Sequence, residues 1–136
     1  MKPKVYIETT IPSYLTAWTS GDLIRAAHQL LTKDWWTRRR ADFDLFVSQV
    51  VLQEIAPGEP LAATERLQAV HDLPILDVTE EAILLAEDLI REGSLPRKAE
   101  LDALHIATAV VNGKDFLLTW NCRHIANATL RVRIEM

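Results

Sequence analysis

The sequence has little of what staples small or extracellular proteins together. It holds a single cysteine, Cys122, so no disulfide can form within the chain, a pattern that suits a reducing, cytoplasmic setting. Four glycines and six prolines in 136 residues are too few for a linker-rich or fibrous protein. No apolar run approaches the roughly 20 residues of a membrane span. The apolar stretch after the basic start Met1-Lys2-Pro3-Lys4 is cut short by Glu8, so it is not expected to be a signal peptide. Excess positive charge is missing as well. A formal net charge of -4 argues against binding nucleic acid by bulk charge. It leaves open an enzyme acting on nucleic acid, where a bound cation and a local basic strip supply the positive charge. There is also no Gly-rich phosphate loop after the first apolar run, where Glu8-Thr9-Thr10-Ile11-Pro12 stands instead. That disfavours a receiver or nucleotide-binding α/β protein.

What the chain does have is apolar bulk. Hydrophobic residues make up 49% of it, enough for a core, and the length suits one domain over residues 1–136. Val5-Tyr6-Ile7 reads as a buried strand ending on Glu8, and Pro12 as opening a short helix through Leu15. Asp22 is a plausible N-cap for a helix with Leu23, Ile24, Ala27, Leu30 and Leu31 on one face, ending near Arg38-Arg39-Arg40. Leu45-Phe46-Val47 reads as a second strand, and Ser48 as the cap of a helix that carries Glu54 and stops at Pro57. A helix from Leu61 to about Val70 and a strand over Pro74 to Val78 follow. Thr79 caps the next helix, with Ala82, Leu85, Ala86 and Leu89 as its buried stripe and Gly93 as its end. Another helix runs from about Lys98 to Val111, closed by Gly113. Phe116-Leu117-Leu118 is a fourth strand, with a short helix near Cys122 to Asn127 and a terminal strand over Leu130 to Ile134. Short apolar strands alternating with helices predict an α/β/α sandwich around a mostly parallel sheet of four to five strands.

In such sheets function gathers beyond the carboxyl ends of the strands. Glu8 ends the first strand, Glu54 lies about two turns into the helix after the second, and Asn121 follows the fourth. Asp102 sits in the first turns of the helix leading into that fourth strand, so all four positions face one edge. Three carboxylates brought close together repel one another, and a divalent cation resolves the conflict. All-oxygen ligation by Glu8, Glu54 and Asp102 favours Mg²⁺ or Mn²⁺ over zinc, and such a metal suits phosphodiester hydrolysis. Taken singly, an acid at a strand end or in a first helical turn is usually a solvated cap.

Four segments carry a resemblance to a known family: Val5-Tyr6-Ile7-Glu8-Thr9-Thr10, Ser48 to Ile55, Leu101-Asp102-Ala103-Leu104-His105-Ile106-Ala107-Thr108-Ala109, and Phe116-Leu117-Leu118-Thr119-Trp120-Asn121. Together they resemble the PIN-domain family, in particular the VapC-type toxins of toxin–antitoxin pairs. The resemblance spans nearly the whole chain. It implies an α/β/α sandwich, a Mg²⁺- or Mn²⁺-dependent ribonuclease, an antitoxin partner and a homodimer. It also implies the roles of the site residues: Glu8, Glu54 and Asp102 hold the metal, Asn121 orients the attacking water, and the Thr9 and Thr119 hydroxyls support the ligands. The chain departs from the family pattern twice. Glu8 stands where Asp is usual, and the neutral Asn121 stands where a fourth acid is usual, so one tightly held metal is easier to justify than two. The alternative is a PIN-like module that binds RNA or a protein without cleaving.

Several other residues have two readings. His105 shares a helical face with Asp102, as a partner of the site, a proton shuttle or a packing residue. Arg38-Arg39-Arg40 either tracks an RNA backbone or is a solvated helix end. Lys98 and Arg123 flank the acids in sequence and are the better phosphate-binding candidates. Trp35 and Trp36 suit core or dimer packing, whereas Trp120, beside the site, is the stacking candidate for a base. Cys122 and His124 are too few for a zinc site.

Overall fold

Val5, Tyr6 and Ile7 are all buried, which only a strand covered on both faces permits, and they form β1 (Lys4–Ile7) at the middle of the sheet. The computed structural model describes residues 1–93, 95–96 and 99–121. The short helix and terminal strand expected beyond Asn121, together with Lys98, Cys122, Arg123 and His124, lie outside the described residues. β1 is flanked by β2 (Asp44–Ser48) and β4 (Phe116–Leu118), with the two-residue β3 (Ile75–Leu76) beyond β2. Among the described residues all pairings are parallel: Val5 lies opposite Leu45 on one side and Phe116 on the other. The chain is therefore an α/β fold, and its described residues form a four-stranded parallel sheet in the order β3-β2-β1-β4, in line with the layered sandwich expected from the sequence.

Among the described residues six α-helices join the strands: α1 (Thr10–Thr16), α2 (Leu23–Arg38), α3 (Gln49–Ile55), α4 (Pro60–Ala69), α5 (Glu80–Arg91) and α6 (Glu100–Val111). The expected caps are made. The side chains of Asp22, Ser48 and Thr79 accept from the backbone N–H groups of Arg25, Val51 and Ala82. Gly93 and Gly113 follow α5 and α6 with φ of 80° and 66°, the left-handed geometry in which a side chain is strained. α5 and α6 approach each other through alanines, Ala82 and Ala86 against Ala103 and Ala107. The rest of the core is built on β1, β2 and α3, with Trp35, Trp36 and Phe43 packed against it.

α2 departs from the amphipathic reading. Leu23 and Leu30 are 85% and 68% exposed, and Ile24 and Leu31 also face outward, while Gln29 and Thr32 are buried. The neighbours that Gln29 and Thr32 meet are polar, which explains the reversal there, while Trp35 and Trp36 further along pack on the core. Gln29 accepts from the Ser20 N–H (2.9 Å) and donates to the Trp18 carbonyl (3.1 Å), pinning the turn before α2. The Thr32 hydroxyl accepts the indole N–H of Trp120 at 2.7 Å. A helix laid on loop backbone and an indole must face them with hydrogen-bonding groups.

Candidate active site

The parallel register that sets Ile7 beside Leu118 delivers Glu8 and Thr119 side by side at the carboxyl edge of the sheet. Glu8 is 3% exposed. Its Oε1 accepts three hydrogen bonds: from the Thr10 N–H (3.1 Å), the Thr10 hydroxyl (2.5 Å) and the Thr119 hydroxyl (2.6 Å). The same two hydroxyls accept from the N–H groups of Trp120 and Asn121, at 2.9 and 2.8 Å. The carboxylate therefore ties the exit of β4 to the start of α1, and Asn121 is joined to Glu8 through a single threonine.

Glu54 arrives from the adjacent strand by way of α3, which Ser48 caps at the end of β2. Its Oε1 accepts the Thr9 hydroxyl at 2.6 Å and meets His105 Nε2 at 2.5 Å. His105 comes from α6 and is wholly buried, whereas the Glu54 side chain keeps 28% of its surface open. Partial burial opposes ionisation of Glu54, but the hydrogen bonds donated by His105 and Thr9 outweigh it. The carboxyl is held below its ordinary 4.5. A carboxylate lowered in the folded state contributes stability above its unfolded value and loses it as pH falls through the folded one. The stability advantage of the wild type over Glu54→Gln should therefore shrink as pH is lowered below about 4.5. Melting curves of both proteins from pH 7 down to pH 3 check this, and a difference independent of pH would count against it.

Asp102 lies one helical turn before His105 on α6, half-buried and not without partners. The edge thus carries two hydrogen-bonded clusters, Glu8 with Thr10 and Thr119 and Glu54 with Thr9 and His105, with Asn121 attached to the first and Asp102 on the helix that contributes His105. Among the described residues, however, no three His, Cys, Asp or Glu side chains converge closely enough to enclose an ion. The chemistry of the donor set still fits a hard cation. Every candidate ligand offers oxygen, and in Glu8 and Glu54 alike the hydrogen bonds among the described residues fall on Oε1, which anchors each carboxylate by one oxygen and would leave Oε2 for a cation.

The neighbouring aromatic and basic residues are engaged internally. Trp120 stacks on His28 at 4.0 Å between ring centroids, with Tyr14 nearly parallel at 6.3 Å, so His28 takes one face of the indole proposed for base stacking. Arg38 and Arg39 are exposed and paired with Asp34 and Asp42, and Arg40 pairs with Asp72 over the Trp36 ring. Three local acids therefore offset the basic run, which weakens it as an RNA-tracking strip.

Sequence reasoning passed over Thr10, Ser48 and Tyr6 as members of the site. The Tyr6 hydroxyl lies 2.7 Å from both Ser48 Oγ and His105 Nδ1. The available signal was a phenol inside a strand buried on both faces, since a buried O–H requires a partner. Neither protein-family models nor curated proteins give a match to this chain.

Proposed function

We propose that this chain is a metal-dependent hydrolase of RNA phosphodiesters, with a PIN-like site built on Glu8, Glu54, Asp102 and Asn121. The observation that carries the reading is the pair Glu8 and Glu54, one just past β1 and the other on the helix that follows the neighbouring β2, each anchored through Oε1 by directed donors. Such fixed, ionised oxygens suit Mg²⁺ or Mn²⁺, and Asp102 would complete the ligand set. When bound, the cation supplies Lewis-acid activation of water and offsets charge on the phosphate. Thr9 and His105 orient Glu54, while Thr10 and Thr119 orient Glu8. The Asn121 carboxamide, on a residue whose backbone N–H donates to the Thr119 hydroxyl, would orient the attacking water.

The test is cleavage of single-stranded RNA with Mn²⁺ by the wild type and by Asp102→Asn. Cleavage should be lost in the variant, and equal cleavage by both would overturn the site assignment. A second reading, a PIN-like module that binds without cleaving, is favoured by the neutral Asn121, which stands where the family has a fourth acid. Absence of Mn²⁺ binding by calorimetry would favour that reading. A protein partner belongs to either one, an antitoxin or a second copy of the chain in a cytoplasmic toxin–antitoxin pair. The outward leucines of α2 offer such a partner an apolar face.

A further inference from the structure

We propose that Ser48, Tyr6 and His105 form a one-way hydrogen-bond relay, starting at the N-cap of α3, that fixes His105 as an Nε2–H donor and thereby holds the Glu54 carboxylate in place. Tyr6 and His105 are then positioning residues for the acid. The inference deepens the proposed function, because it rests on Glu54 being one of the working acids.

The relay runs through three side chains with no exposed surface, Ser48, Tyr6 and His105. It begins at the Val51 N–H, which donates to Ser48 Oγ at 3.4 Å, passes to Tyr6 and then to His105 Nδ1, and leaves from Nε2 to Glu54 Oε1. Its first and last members belong to the same helix: Ser48 caps α3 and Glu54 lies in its last turn. Between them the path crosses β1 and α6, so the relay fixes the position of α3 against both.

Proton accounting sets its direction. With His105 neutral and protonated on Nε2, Ser48 donates to Tyr6, Tyr6 donates to Nδ1, and Nε2–H donates to the carboxylate. Every hydroxyl then gives one hydrogen bond and accepts one. In the other neutral tautomer the bare Nε2 lone pair would face the Glu54 oxygen at 2.5 Å, two acceptors with no proton between them. As an imidazolium, His105 would donate to Tyr6 and Tyr6 to Ser48. Ser48 would then accept twice, and its own buried proton would have no acceptor among the described residues, a costly omission. Burial first, together with the negative charges of Glu8 and Glu54, raises the Tyr6 phenol despite its bond to Ser48, so its proton stays in the relay. The rings also meet edge to face, with centroids 5.7 Å apart at 70°, which restricts rotation of the imidazole.

The consequence is preorganisation. Glutamate has several rotatable bonds, and one fixed beforehand has less freedom to lose when it takes a ligand. Partners of this kind typically contribute 10–100-fold to metal affinity.

Two measurements test the proposal, and only one involves metal. Long-range ¹H–¹⁵N spectra of the metal-free protein at neutral pH should show His105 as the Nε2–H tautomer. In Tyr6→Phe its Nδ1 resonance should move towards that of an unbonded ring nitrogen. An Nδ1–H tautomer, an imidazolium, or no response to Tyr6→Phe would overturn the relay, whether or not the protein binds metal. Mn²⁺ affinity by calorimetry should fall roughly 10–100-fold in His105→Leu and less in His105→Gln, whose amide can still donate to Glu54. Equal affinities in wild type, Leu and Gln variants would overturn the positioning role. If His105→Leu does not fold, Tyr6→Phe replaces it, with a several-fold loss expected. If the wild type itself binds no Mn²⁺, the metal reading of the site fails, and the spectra alone decide the relay.

Discussion

Glu8→Val should destabilise the protein by about 3 kcal/mol, whereas Glu8→Gln should cost only about 1 kcal/mol. The difference lies in what each substitution leaves behind. Valine fills the buried volume but strips the acceptor from the Thr10 N–H and from the Thr10 and Thr119 hydroxyls. The hydroxyls can rotate to seek other acceptors, while the backbone N–H at the start of α1 cannot. Hydrogen bonds to a charged acceptor contribute about 1.5–3 kcal/mol each, and relief from burying the charge offsets part of their loss. Glutamine keeps an oxygen at the same reach and loses only the charge. Glu8→Asp should fall between the two, because a side chain one methylene shorter cannot span both α1 and β4 as well. In thermal melts a 3 kcal/mol loss corresponds to a fall of roughly 10 °C for a chain of this size. A valine variant melting within a few degrees of wild type would show that Glu8 does not tie these elements together. The glutamine variant also separates two roles: its fold should persist while any affinity for Mn²⁺ drops with the lost charge.

That dual role explains why the first acid was easy to find and its function hard to read. A carboxylate directly after Val5-Tyr6-Ile7 is conspicuous because a buried strand ends on a charge. The sequence also placed Thr9 and Thr119 beside the acids, but not which acid each hydroxyl serves: Thr9 bonds Glu54, Thr119 bonds Glu8, and both pairings cross between elements. The strands and the caps Asp22, Ser48 and Thr79 were legible because each depends on a few neighbouring residues. β3 was expected over Pro74 to Val78 and is confined to Ile75–Leu76, since it pairs only with the end of β2, at Val47 and Ser48. The relay was not legible at all. It joins residues 42 and 99 positions apart, and Tyr6 and His105 each resemble ordinary core residues on their own elements. Local patterns report which side chains are apolar, and they do not report which distant hydroxyl a buried one meets.

The same blindness inverted α2, and a pair of substitutions there should show opposite costs from those its hydrophobic pattern suggests. Gln29→Leu, which by sequence pattern extends an apolar face, should destabilise by about 2 kcal/mol. Gln29 is 4% exposed, and its amide answers both the Ser20 N–H and the Trp18 carbonyl. Leucine would leave both backbone groups without that partner, and their position near the surface lets water recover part of the loss. Leu30→Lys, which by sequence pattern puts a charge into the core, should change stability by less than about 0.5 kcal/mol, as substitutions at exposed sites usually do. Urea denaturation of the dilute protein compares the two directly. The reverse order, a severe Leu30→Lys and a silent Gln29→Leu, would mean that α2 turns its leucines inward. A Leu30→Lys cost that grows with protein concentration would have a different meaning: the helix is oriented as described, but its leucines are covered by a second chain. Stability would then be linked to association, and the lysine would weaken the interface rather than the fold.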